Sequence, residues 1–282
     1  KKHGLKRVLL FGDSFTAGDG VSNKKRYSDL LMQMLPSTEI FNFGMPGTGT
    51  DQQYLIYKRY AEGIEHDLIM IVVNIENIRR VNAKYRFYLN SGNERIVFQK
   101  PYFDLENEQL VLKGTPVNPH EFKFDELPET ERRMVVKGGR FPAVRFIVKK
   151  MGLKKIAQRV TGYQQYHEYN SPTTKEWILL KYILLNWIGE LKKPVLLVSL
   201  PTHEYADGGS DYKEIEQRFS EFGRIKNVIL YSPYNDIIKL PWEQRRRFRF
   251  KYDVHFSSFC HETYAGLFRL KIGEIFRNYN LM

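Results

Sequence analysis

Apolar positions along the chain fall into two kinds of run. Short unbroken stretches, such as Val8-Leu9-Leu10-Phe11, Leu68 to Val73 and Val195-Leu196-Leu197-Val198, are bounded by polar or turn residues. Continuous rather than alternating hydrophobicity marks strands buried on both faces. Between them lie stretches with helical spacing, clearest where Trp177, Leu180, Ile183, Leu184, Trp187 and Leu191 follow Ser171-Pro172. The pattern predicts strands at 8–11, 39–43, 67–73, 194–200 and 227–231, and helices at 27–34, 51–62, 174–191, 211–222 and 257–277. Strands alternating with helices imply an α/β protein, three-layered α/β/α, with a five-stranded and mostly parallel sheet.

The alternation breaks after Asn77. From about residue 84 to 170 the chain is aromatic, charged and irregular, punctuated by Pro119, Pro128 and Gly138-Gly139. One hairpin stands out, Tyr102 to Leu105 against Leu110-Val111-Leu112 across Glu106 to Gln109, and a basic helical stretch follows at 144–160. The reading is a single domain, 1–282, carrying an insertion or cap at about 84–170 after the third strand. Loops at strand ends commonly carry specificity, so the insertion is expected to cover one side of a site.

Composition narrows the chemistry. The chain of 282 residues is long enough for a substantial core, and its formal charge of +12 favours an anionic partner. Its basic residues form short clusters, Lys24-Lys25-Arg26, Lys149-Lys150 with Lys154-Lys155, and Arg245-Arg246-Arg247 with Arg249 and Lys251. There is no zinc finger, RNP-like strand or long basic arm, so no nucleic-acid partner is expected. No apolar run reaches the roughly 18 residues that span a bilayer. A single cysteine, Cys260, excludes an intramolecular disulfide. It fits a reducing compartment, so the cytoplasm is favoured; a periplasmic or secreted location would require a leader or anchor ahead of Lys1. No His-Glu-x-x-His or comparable ligand spacing occurs, and neither metal nor cofactor is expected.

The candidate chemistry lies at the two ends of the chain. Gly12-Asp13-Ser14-Phe15 directly follows the first strand. Ligands of open α/β sheets bind beyond the carboxyl ends of the strands, which places Ser14 where a nucleophile would act. Asp253-Val254-His255 supplies a general base and an acid to orient it.

These residues carry a resemblance. Gly12-Asp13-Ser14-Phe15-Thr16-Ala17-Gly18 resembles the first block of the SGNH (GDSL-like) hydrolase superfamily, and three further blocks follow in that family's order. Asn42-Phe43-Gly44-Met45-Pro46-Gly47 resembles the second, Ile75-Glu76-Asn77-Ile78 the third, and Asp253-Val254-His255-Phe256-Ser257 the fourth. The third departs from Gly-x-Asn-Asp at both ends, and Cys260 stands where a glycine is usual. The Asp-x-His spacing is that of branches associated with polysaccharide modification. The resemblance implies a flavodoxin-like sheet, a Ser14–His255–Asp253 triad, and an oxyanion hole from the amides of Ser14 and Gly47 with the Asn77 carboxamide. Gly44 and Gly49 compete with Gly47, and Asn74 with Asn77.

The implied activity is that of a serine esterase removing an acyl group, acetyl foremost, from a carbohydrate or related hydroxylated substrate. Acyl transfer to a glycan, or glycan binding without turnover, are the alternatives. The basic clusters flanking Ser14 and Asp253 suggest an anionic substrate. Asp13 is expected to bond the backbone of its own turn, with help in positioning His255 as the alternative, His203 to lie on a surface loop, with a place facing the crevice as the alternative, and His261 to cap or pack within the last helix.

Overall fold

The computed structural model describes residues 4–89, 95–135 and 164–279. Five strands, β1 (Lys6–Phe11), β2 (Thr38–Asn42), β3 (Leu68–Asn74), β8 (Val195–Leu200) and β9 (Val228–Tyr231), form one sheet in the order β2-β1-β3-β8-β9. Every pairing in it is parallel.

The unbroken hydrophobicity of the central strands has a direct cause. Leu9, Phe11, Ile69, Ile71 and Val73 point to one core, while Val8, Leu10, Leu68, Met70 and Val72 point to the other. Side chains alternate across a strand, so both faces must be apolar. Helices α3 (Thr50–Ile56), α5 (Lys175–Gly189) and α6 (Lys213–Ser220) cover the first face, and α2 (Tyr27–Met34) and α7 (Ser258–Asn278) the second. The short helices α1 (Ser14–Ala17) and α4 (Asn77–Arg80) begin just beyond β1 and β3. Full burial of side chains such as Leu9, Trp187 or Phe268 is worth about 2–3 kcal/mol each, an upper figure for a chain already partly collapsed when unfolded.

The expected helix at 51–62 is α-helical only to Ile56 and continues as a π-helical turn over Tyr57–Ala61. The expected hairpin forms as β6 (Tyr102–Glu106) against β7 (Gln109–Lys113), with Asn107 and Glu108 both at positive φ, +50° and +63°. That conformation matches a right-twisted two-residue turn. A second hairpin, β4 (Tyr85–Leu89) against β5 (Arg95–Gln99), precedes it. Tyr85-Arg86-Phe87-Tyr88 sits in an aromatic, charged stretch with no run of aliphatic residues, and that mixture hid the strand. The predicted stretch at 144–160, with Gly138-Gly139, lies outside the described residues.

The hairpins are fastened to the core. Phe103 stacks on Tyr54 with ring centroids 5.8 Å apart, and Lys100 makes a buried ion pair with Asp51 at the start of α3. On the far side of the insertion, Arg79 pairs with Glu168, donates to the Gln165 carbonyl and lies over the Tyr166 ring. Both hairpins and the returning chain are thereby tied to the strand ends where the candidate site lies.

Candidate active site

Ser14 opens α1 immediately after β1 and is 5% exposed. Asp13 caps this short helix, its carboxylate accepting the Phe15 amide at 3.1 Å. Glycine is demanded on both sides of the turn. A Cβ at Gly12 would fall 2.0 Å from Thr16 Oγ1, and one at Gly44 would fall 2.4 Å from the Ala17 amide nitrogen. The loop after β2 can therefore press against the nucleophile turn. Asn42 holds the two together, donating to the Thr16 carbonyl at 2.8 Å and accepting the Gly44 amide at 2.8 Å.

Although they are separated by most of the chain, Ser14 and His255 meet. The Ser14 hydroxyl donates to His255 Nε2 at 3.0 Å, and His255 Nδ1–H donates to Asp253 Oδ1 at 2.7 Å. This direction follows from the carboxylate, which only accepts and so fixes the proton on Nδ1. The same Oδ1 also accepts the His255 backbone amide at 2.9 Å, and that bond is the foremost cause holding the Asp253 carboxyl below its ordinary range. Phe15, next to the nucleophile, packs its ring 5.3 Å from the imidazole. Asp19 lies 3.9 Å from His255 Nε2, a neighbour with no motif to announce it.

His203 is not a free surface histidine. Its Nε2–H donates to the Val254 carbonyl at 2.7 Å, and its ring sits 5.7 Å from Phe256 and 6.4 Å from Phe15. Burial pulls its pKa down to about 4, so the ring is neutral at ordinary pH. It clamps the middle residue of Asp253-Val254-His255. His261 is buried in α7, where its Nδ1 accepts the Tyr27 amide at 3.2 Å. Cys260 fills a core position beneath it, and burial pushes its thiol pKa well up.

The expected oxyanion donors share a property. Among the described residues, neither the amide of Ser14 nor that of Gly47 makes a hydrogen bond, and both carboxamide atoms of the fully buried Asn77 lack a partner. The competing groups are engaged. Gly44 donates to Asn42, Gly49 donates to Gln52 Oε1 at 3.4 Å, and the Asn74 carboxamide donates to the Asp13 carboxylate while its Oδ1 accepts the Glu76 amide at 3.1 Å. Gly47 has φ +75°, and a Cβ there would lie 3.0 Å from the Arg86 guanidinium.

Arg80 was invisible in the sequence pattern. From the end of α4 it reaches the Asp13 carboxylate at 3.0 Å, the Thr48 carbonyl at 3.1 Å and Glu76 at 3.4 Å. One side chain thus joins the loops after β1, β2 and β3. Asp13 is directed to Arg80 and to its own turn. Burial raises its pKa and the Arg80 charge opposes that rise. Of the basic clusters, Arg26 pairs with Asp29, Arg245 donates to the Leu240 and Ala206 carbonyls, Arg247 covers the Phe259 ring, and Arg249 pairs with Asp207. These arginines are largely occupied in holding the fold.

No group of three or more potential metal ligands occurs among the described residues, and no helix among them is long and apolar enough to cross a membrane. No family model matches the sequence, and no curated protein matches it. The chain is similar to several solved structures. One is the lipase/acylhydrolase from Enterococcus faecalis, 13% identical over 95% of each chain with a TM-score of 0.48. A member of the lipolytic protein G-D-S-L family from Veillonella parvula is 12% identical over 93% of this chain and 96% of its own, with a TM-score of 0.47. A two-domain esterase active on acetylated mannans is 12% identical over 96% of this chain and 50% of its own, with a TM-score of 0.42. What the site can do is decided by its own geometry.

Proposed function

We propose that this chain is a serine ester hydrolase of the SGNH (GDSL-like) type, one catalytic domain with a cap at about 84–170. It removes an acyl group, acetyl foremost, from a carbohydrate or related hydroxylated compound. The observation that carries this reading is the continuous relay from Ser14 Oγ through His255 to Asp253.

In this mechanism the Ser14 hydroxyl passes its proton to His255 Nε2 as Oγ attacks the ester carbonyl. Asp253 holds the imidazole in the required tautomer and stabilises its cation. Negative charge on the former carbonyl oxygen is met by the unengaged donors, the amides of Ser14 and Gly47 and the Asn77 carboxamide. His255 then returns the proton to the leaving alkoxide, giving the alcohol and an acyl-Ser14. Water attacks that ester with His255 as base, releasing the acid and restoring Ser14.

The decisive experiment measures release of 4-nitrophenol from its acetate. Ser14→Ala should lower kcat/KM by about 10⁴-fold or more, and a fluorophosphonate probe should label the wild type at Ser14 alone. Turnover retained in Ser14→Ala would overturn the assignment.

A further inference from the structure

Arg86 lies on β4, in the first hairpin of the insertion, and its guanidinium packs beside Gly47, with Nη2 3.0 Å from where a Cβ at that position would fall. Its Nε is buried without a hydrogen-bond partner, and no carboxylate among the described residues forms an ion pair with it. The nearby acids are directed elsewhere. Asp13 and Glu76 are held by Arg80, and Asp51 by Lys100. Desolvation and the neighbouring Arg80 charge both pull the Arg86 pKa down, which means the cation is poorly compensated where it stands. A half-buried cation without a counter-ion is costly to a fold, and a bound anion would offset that cost.

We infer that Arg86 forms a carboxylate-binding subsite beside the oxyanion loop, so that the preferred substrate is an ester bearing a carboxylate close to its scissile carbonyl. This rests on the esterase reading and narrows its substrate class. The chemistry suits the side chain, since a planar guanidinium meets a carboxylate through two parallel hydrogen bonds. It also places the selecting charge on the insertion, while the nucleophile follows β1 and the base precedes α7. The carboxylate could belong to the acyl group or to the alcohol, as in a uronic acid.

Matched ester pairs separate these sources. On the acyl side, mono-4-nitrophenyl adipate is compared with its methyl ester. On the alcohol side, an O-acetylated methyl glucuronoside is compared with its own methyl ester. In at least one pair the wild type should favour the anion by about tenfold or more in kcat/KM, the worth of one charge-assisted hydrogen bond. Arg86→Gln should bring that ratio close to one, and Arg86→Lys should retain part of it. The ratio does not depend on how much of a variant is folded. A wild-type ratio near one in both pairs, or a ratio unchanged by Arg86→Gln, would overturn the subsite. Should esters be cleaved independently of Ser14, or not at all, the esterase reading itself would fall.

Discussion

The two halves of the candidate relay are held by different means. Ser14 sits on a turn squeezed between glycines, with Gly12 and Gly44 allowing backbone and side chains into contact where a methyl group has no room. His255 comes from a segment exposed on its N-terminal side, with Asp253 49% and Val254 66% exposed, and anchored on the other by the buried Phe256 ring. One side is positioned by close packing throughout, the other by a few directed hydrogen bonds and that one ring. Packing resists displacement in every direction, whereas a hydrogen bond resists mainly along its own axis.

The sharpest way to probe the packed side is to remove a group that the fold does not use. The Asn77 carboxamide makes no hydrogen bond in the resting structure, so Asn77→Ala should lower kcat about 10²- to 10³-fold while the melting temperature stays nearly constant. A parallel loss of stability would instead assign Asn77 to the core. Gly44→Ala attacks the packing itself. Its methyl group must displace the Ala17 backbone, so about 1–3 kcal/mol of stability should be lost in chemical denaturation together with activity. Wild-type behaviour would show that the two loops are not pressed together.

On the hydrogen-bonded side the expected effect is smaller. His203→Gln should lower kcat by about tenfold with KM little changed, as befits a positioning residue acting through Val254. The same variant tests a pH effect. The His203 imidazole has a pKa of about 4 in the fold against 6.5 when unfolded, so it binds a proton more readily in the unfolded chain. Its contribution to stability is full above pH 6.5 and is lost as the pH falls towards 4. His203→Gln should flatten that part of the melting curve measured against pH. An unchanged profile would remove His203 from this role.

The parallel sheet was legible because its central strands are apolar on both faces, a signal that needs no tertiary context. Ser14 and Asp253-Val254-His255 were conspicuous for a similar reason, since each is a compact local motif at an element boundary. Arg80 and His203 were not. Arg80 matters because three loops converge on one guanidinium, and His203 because β8 delivers it beneath a segment some fifty residues away. The arginine clusters differ, since several of their members are paired within the fold. Charge density along the chain says nothing about which guanidinium already has a partner, and Arg86, which belongs to no cluster, is half-buried with its Nε unpartnered.

The one-residue spacing between Asp253 and His255 has a mechanical consequence. Because ring and backbone of His255 both bond to the same carboxylate oxygen, acid and base form a closed loop that can shift only as a single body. The gap to Ser14 then becomes the one adjustable joint of the relay. Reach, rather than internal alignment, would set how often this machine is ready to fire.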